Sequence, residues 1–474
     1  VELSSGIELL NNDAGGSMRQ GIYILESSLC EVTGNEVHGN EDGITLSYST
    51  DCVVRYNHAY TNSISGFHIY QTDESIILNN TAGYQTDRGY RIESSSSCTF
   101  SRNVASGNYF DGFILNESQF CVLESNTAEY NLWGFSSGGA QGCTLESNIA
   151  RYNSAIGFNI GNSPLTLLQD NVAYHNSDSG FRLVSSIDSL LTGNKANNNS
   201  DNGIEVFNTN SGEISDNEVF YNDNNGIYLG NAGNLLISLN IVRNNQVDGF
   251  VFAGTADSFN CTVIRNAAMY NLEYGFHFTE HSSANLLHRN LVGWNGLGNA
   301  LDDGVSNLWD DGINTGNAWS DYSGTGTYSV PGSASSIDHY PVGADLSPPA
   351  INSPDDLSYE IGELGNRVAW DSSSIIPRFY EIRRNGTLLD FGDWNGSALA
   401  INVDGLSYGA HNLTLRVVDI FGNFATDTVI VRVTVPAQIT EIFGIPTQTL
   451  MMVGIGVVVL IVAIIIQQKK ELYD

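Results

Sequence analysis

The sequence predicts an all-β chain: a parallel β-helix solenoid of about 12 rungs of 22–23 residues, then a small β-sandwich, then one membrane-spanning helix. Three observations predict it. A Gly followed by an apolar residue recurs at Gly43, Gly66, Gly89, Gly112, Gly134, Gly157, Gly180, Gly203, Gly226, Gly249 and Gly275. In phase with these run Asn35, Asn57, Asn80, Asn103, Asn126, Asn148, Asn171, Asn194, Asn217, Asn240, Asn266 and Asn290. Between the markers, apolar residues alternate in runs of three to five, as in Phe113, Ile114 and Leu115, which is strand and not helix periodicity.

Each element follows from this period. Three short strands and three turns fill one repeat, and stacking such rungs in parallel gives a solenoid with continuous inner columns. Asn suits a repeated sharp turn because it tolerates the left-handed region, and its amide can bond the next Asn in the stack. The Gly marks either a positive φ or a close approach between rungs. Leucine-rich repeats need a Leu skeleton that is missing, and helical repeats need longer apolar-periodic segments. Twelve rungs span about 55 Å.

The composition fits this reading and excludes others. The 474 residues carry 19 Lys+Arg against 52 Asp+Glu, a net charge of −33. So few cations cannot assemble a basic face for nucleic acid. A hydrophobic fraction of 41% is too high for a disordered acidic chain.

The solenoid occupies 1–345, closed by a C-terminal cap, and 346–354 reads as a Pro-containing linker. Residues 355–436 change to β-branched strands separated by turn signals such as Asn385-Gly386 and Asp404-Gly405, which fit a sandwich. A stalk at 437–448 leads to an apolar span at 449–467 with no charged residue, long enough to cross a bilayer. Lys469 and Lys470 place the tail, 468–474, in the cytoplasm and the rest outside the cell. Val1 is not Met, so either a signal peptide has been removed or the sequence is a fragment.

The repeat pattern Asn-x-Ala/Val-x-x-Asn-x-x-x-Gly-Phe/Ile-x-Leu resembles the right-handed parallel β-helix repeats of the NosD-like and carbohydrate-binding/sugar-hydrolase group. The stretch from Trp309 to Gly324, with Asp338-His339-Tyr340-Pro341, is similar to the closing segment of archaeal surface β-helix proteins, although Ala318 stands where that family carries a bulky aromatic. The run from Val417 to Asn423 looks like the late-strand turn of Ig-like surface modules. The resemblance implies the fold. For function it implies a group with binding, structural and catalytic members.

Several constellations are candidates for chemistry. Asp178 and Asp201 hold the same position on adjacent rungs, with Arg182 and Glu205 in the next outward column, and a close carboxylate pair suits glycoside hydrolysis or calcium. His68, Arg88, Arg91 and Asp111 form a second, lyase-like set. Tyr130, Tyr152, Tyr221, Tyr270 and Trp294 make an aromatic column, with Tyr84 and His175 in the same series, that either stacks on sugars or packs on itself. Asp310, Asp311 and Asp321 are candidate Ca²⁺ ligands, or parts of the cap. Cys30, Cys52, Cys98, Cys121, Cys143 and Cys261 share one repeat position and read as a packed inner column or, alternatively, a thiolate metal stack. Copper handling, associated with the NosD name, wants a soft Met, His and Cys cluster that this sequence does not supply. Sequons stand at Asn79, Asn116, Asn198, Asn260, Asn385, Asn395 and Asn412.

These features lead to a membrane-anchored surface protein that binds a carbohydrate or a surface protein, with no required cofactor and no nucleic acid. The alternatives are a polysaccharide hydrolase or lyase, and copper handling.

Overall fold

The computed structural model describes residues 1–255 and 258–435, with only the backbone at 441–442 and 445–446. The chain divides into two compact units, Val1–Leu346 and Ser347–Asp474. The membrane-spanning helix expected at 449–467 and the tail lie outside the described residues, as does most of the expected stalk. Among the described residues no helix is long and apolar enough to cross a membrane.

The first unit is a parallel β-solenoid of three sheets, with 15, 15 and 13 strands among the described residues. The first rung contributes Glu8–Leu10, Asp13–Gly15 and Ile22–Leu25, one strand to each sheet. The expected 12 rungs are too few: the array runs to about 15 turns. The second sheet continues into Ala318–Trp319 and Val342–Gly343, both supplied by the closing segment.

Register is fixed by side-chain ladders at the corners. In the marker series, Asn103 donates Nδ2 to Oδ1 of Asn126 at 3.0 Å, and Asn126 does the same to Asn148 at 3.0 Å. Each Oδ1 also accepts the main-chain N–H one rung back, as Asn126 does from Asn103 at 2.9 Å. The ladder begins one rung earlier than the sequence marks, at Asn12, and ends one later, at Asn317. Asp338 closes it by accepting the Asn317 N–H at 2.8 Å. A second ladder runs through Asn108, Asn131, Asn153, Asn176 and Asn199, and a third corner carries hydroxyls such as Ser27 and Ser49. Beyond the exposed first member, Asn12, these amides are buried and hydrogen-bonded, which is the condition for tolerating them there.

The turn chemistry differs from expectation in one respect. The left-handed residue is the one before the ladder Asn, as at Tyr56 (φ 56°), Arg102 (φ 54°) and Asp170 (φ 53°). The Asn itself turns inward to the ladder. The repeated Gly is set by crowding: a Cβ on Gly112 would stand 2.7 Å from the Gly134 carbonyl oxygen and 2.8 Å from Ala128 Cβ.

Inside, Phe67, Tyr90, Phe113, Phe135, Phe158 and Phe181 stack ring on ring with centroids 4.4–4.9 Å apart. Trp309 and Trp319 close the C-terminal end. Trp309 sets its edge against Phe278, and Trp319 stacks on Tyr328 at 4.1 Å.

The second unit has a five-stranded sheet in the order Leu357–Glu360, Phe424–Thr434, Gly409–Asp419, Pro377–Arg384, Thr387–Asp393. Arg367–Trp370 pairs with Leu399–Asn402 as a separate ribbon. One core, with Trp370, Trp394, Leu413 and Val429, joins them. Ala350–Ile351, in the segment read as linker, pairs with Ser372–Ser373.

Candidate functional site

The aromatic column is built by the turn chemistry just described. Tyr130, Tyr152, Tyr221, Tyr270 and Trp294 each precede a residue of the second carboxamide ladder and each has a φ of 54–58°. The Asn that follows points inward, so the ring is left outside, and all five are exposed.

Their rings stack along the rod. Tyr130 and Tyr152 are 5.4 Å apart and tilted by 8°, and His175 continues the stack from Tyr152 at 5.2 Å and 11°. Tyr270 and Trp294 stack at 5.4 Å and 17°. The faces of Tyr152 are therefore taken up by its neighbours. Between Tyr130 and Trp294 the column is broken at Asn198 and at Asn244.

Around the second break lies an open cleft of about 420 Å³. Tyr221 stands on one side of Asn244, and Tyr270 and Trp294 on the other, with Gln246 and Leu272 along the rim and Asn245 and Asn271 of the buried ladder as floor. No carboxylate and no cation lines it. The cleft thus gathers three of the five expected aromatics. Tyr130 and Tyr152 sit elsewhere on the column. Sequence reasoning missed Asn244 and Gln246. The signal for Asn244 was present, as a short polar residue in a column marked mostly by rings.

The acidic candidates lie on the outer face of the third sheet and on the turn before it. Arg182, Glu205 and Tyr228 are in register on consecutive strands. Arg182 Nε lies 3.5 Å from Glu205. Burial raises the Glu205 pKa, Arg182 pulls it down, and the charges of Asp201 and Asp178 add to the rise, which prevails. Asp201 accepts from Asn224 Nδ2 at 2.6 Å and from Ser179 Oγ at 3.4 Å. Asp178 accepts the Ser179 N–H at 2.7 Å. Asp178 and Asp201 therefore both act on Glu205, which the sequence placed in the column beside them.

The second set falls into two groups on the third sheet, His68 with Arg91 and Arg88 with Asp111. His68 lies 3.5 Å from Asp42 through Nδ1 and 3.2 Å from Glu93 through Nε2, and Arg91 pairs with Glu93 at 2.9 Å. Burial raises the Glu93 pKa, but Arg91 and then His68 outweigh it and leave it lowered. Arg88 bridges Asp87 at 2.8 Å and Asp111 at 3.1 Å, and Ser136 donates to Asp111. Asp111 is buried, which raises its pKa despite Ser136 and Arg88. Asp42 and Glu93 were not expected. A further pair was missed altogether: His277 Nδ1 lies 2.8 Å from buried Asp248.

The structure does not gather the proposed calcium ligands. Asp310 holds His339 at 2.8 Å. Asp311 caps the N–H groups of Ile313, Asn314 and Thr315. Asp321 bonds Asn299 and Tyr328. Among the described residues, no group of three or more His, Cys, Asp or Glu is placed to hold a metal ion. The six cysteines are free and buried in the inner column, as packing predicts. The sequon asparagines Asn198, Asn260, Asn385, Asn395 and Asn412 are exposed, while Asn79 and Asn116 are half-buried.

The solved structures similar to this chain include the following three. The periplasmic alginate epimerase AlgG is 17% identical, covering 59% of this chain and 75% of its own, with a TM-score of 0.36. The A-module of Azotobacter vinelandii mannuronan C-5 epimerase AlgE6 is 17% identical, covering 72% and 90%, with a TM-score of 0.40. Tailspike protein 3 of bacteriophage CBA120 is 11% identical, covering 70% and 63%, with a TM-score of 0.42. Scores this low bear on neither activity nor substrate. Comparison with curated proteins gave no match. The family model described as "Right handed beta helix region" matches residues 1–132 and 132–292, well over half of the sequence. The chain belongs to the right-handed β-helix family.

Proposed function

We propose that this protein binds a neutral glycan without transforming it, and that its β-helix serves as the rigid support for the site. One observation carries the reading. In a chain of net charge −33, the cleft around Asn244 has aromatic walls, a carboxamide rim and no charged lining. Aromatic faces take the apolar face of a pyranose, and carboxamides both donate to and accept from its hydroxyls. An ionic ligand would find no counter-charge there. In this reading the protein is displayed outside the cell on the membrane span expected at 449–467, and the second unit, with its Ig-like resemblance, is a spacer.

Titration calorimetry against neutral and uronate-containing oligosaccharides tests it. Tyr270→Ala should weaken neutral glycan binding by about tenfold, equivalent to ~1.4 kcal/mol. Uronate polymers binding more tightly than neutral ones would refute the reading, as would an unbound panel.

Glu205 favours a second reading, polysaccharide hydrolysis. A carboxyl whose pKa is raised beside two other carboxylates suits a general acid, with Asp178 or Asp201 as base or nucleophile. Purified protein should then release reducing ends from a polysaccharide, and Glu205→Gln should abolish the release. Turnover unaffected by Glu205→Gln would remove this reading.

A further inference from the structure

The break at Asn244 says how a sugar would be held, a point that rests on the glycan reading above and goes beyond it. Where rings occupy adjacent rungs, they turn their faces to one another, and a ring with neighbours on both sides, such as Tyr152 between Tyr130 and His175, presents only its edge to solvent. A polysaccharide laid along the rod would meet those edges. Stacking of a sugar on an aromatic ring requires a free face, and free faces occur where the column is interrupted.

At Asn244 the interruption is one rung deep. Asn222, Asn245 and Asn271 are consecutive members of the buried ladder, so Tyr221, Asn244 and Tyr270 occupy consecutive rungs. Where the column is intact, as from Tyr130 to His175, it places one ring per rung. The gap between Tyr221 and Tyr270 is therefore the width of one missing ring, about 10 Å from rung to rung across two steps of the stack. Asn244 leaves it open at the bottom because its side chain is short.

The two walls are backed differently. Among the described residues Tyr221 has an edge-on contact with Phe220 at 5.5 Å and no stacked ring. Tyr270 is backed by Trp294 at 5.4 Å and forms the firm wall. A pyranose is thicker than an aromatic ring, and the wall with no ring stacked behind it leaves room for it. Asn244 and Gln246 are positioned to meet its ring hydroxyls.

We infer that a single neutral pyranose inserts between Tyr221 and Tyr270, in the place of the missing ring, so that a glycan chain crosses the rod and does not run along it. The protein then reads one sugar, and sugars further along the chain gain no rungs. This separates the arrangement from the lengthwise mode, in which each added sugar would cover another rung and raise the affinity.

The test is calorimetry with methyl glycosides of glucose, galactose and mannose, and with neutral β-linked gluco-oligosaccharides of two to six units, on the full chain. Affinity should level off by the disaccharide. Asn244→Tyr, which fills the gap, should lower it at least tenfold. That variant should fold, because Tyr already occupies the same turn at Tyr221 and Tyr270 with φ of 58° and 56°, against 56° at Asn244. The double substitution Tyr130→Ala and Tyr152→Ala should leave binding unchanged. Affinity that climbs with chain length, falls with the double substitution and survives Asn244→Tyr would overturn the inference and leave the glycan reading standing. If aryl glycosides bind and show ligand saturation transfer only at the aryl ring, the slot takes an aromatic group and the inference fails. Binding by none of these probes would overturn both.

Discussion

His277 shows what a single buried partner does to a surface column. Its ring sits beside Asp248, whose hydrogen bond raises the imidazole pKa; burial opposes this, and the charges of Asp248, Asp303 and Glu273 add to the rise. A base with a raised folded pKa contributes stability that is complete below its ordinary value of 6.5 and is lost as pH rises through the raised value. Asp248→Asn should therefore lower the His277 pKa in an NMR titration and reduce the loss of thermal stability on going from mildly acidic to mildly alkaline pH. An unchanged titration would mean that the Asp248 contact does not control this ring. Neither residue stood out in the sequence, because Asp248 lies on the turn and His277 one rung on. Only the register of the third sheet puts them together.

The stacked columns are where sequence and structure agree best, and also where the residual surprises lie. Gly and Asn recur because every rung needs the same close approach and the same amide, so one repeated constraint is written many times. Before the first ladder the left-handed residue escaped notice because its identity varies freely among Tyr, Arg, Asp and Ser, and a position that tolerates many residues leaves no pattern; before the second ladder its rings stood out, but not their backbone conformation. The cleft was hidden for the converse reason: it is made by one departure, Asn244, from a column read for its regularity. Departure also marks Tyr90, the one phenol in an inner stack of phenylalanines. Its hydroxyl is buried with no hydrogen-bond partner, at a cost of about 1–3 kcal/mol for the unmet group. Tyr90→Phe should stabilise the solenoid, read as a higher midpoint in guanidinium with an unchanged slope. A lower midpoint would show that the hydroxyl is satisfied in solution.

For the molecule as a whole, the acidic excess governs how stability responds to salt. With 52 acidic against 19 basic residues, the folded chain works against its own repulsion. Raising sodium chloride from about 0.01 M to 0.15 M shortens the Debye length from about 30 to 8 Å. The midpoint of thermal unfolding should rise over that range. A fall would mean that ion pairs such as Arg55–Glu31 at 2.6 Å and Arg151–Glu129 at 2.7 Å outweigh the repulsion.

The inner cysteine column has a use of another kind. Burial pushes the thiols of Cys52 and Cys261 up to about 11, so at neutral pH they are neither ionised nor reachable. An alkylating reagent can meet such a thiol only while its rung is open. Cys30 and Cys52 near one end, Cys98, Cys121 and Cys143 further in, and Cys261 toward the other end are thus native reporters spaced along the stack. Their labelling rates, followed by mass spectrometry, would give the opening free energy at each site and show whether the array frays from its ends or opens as one body.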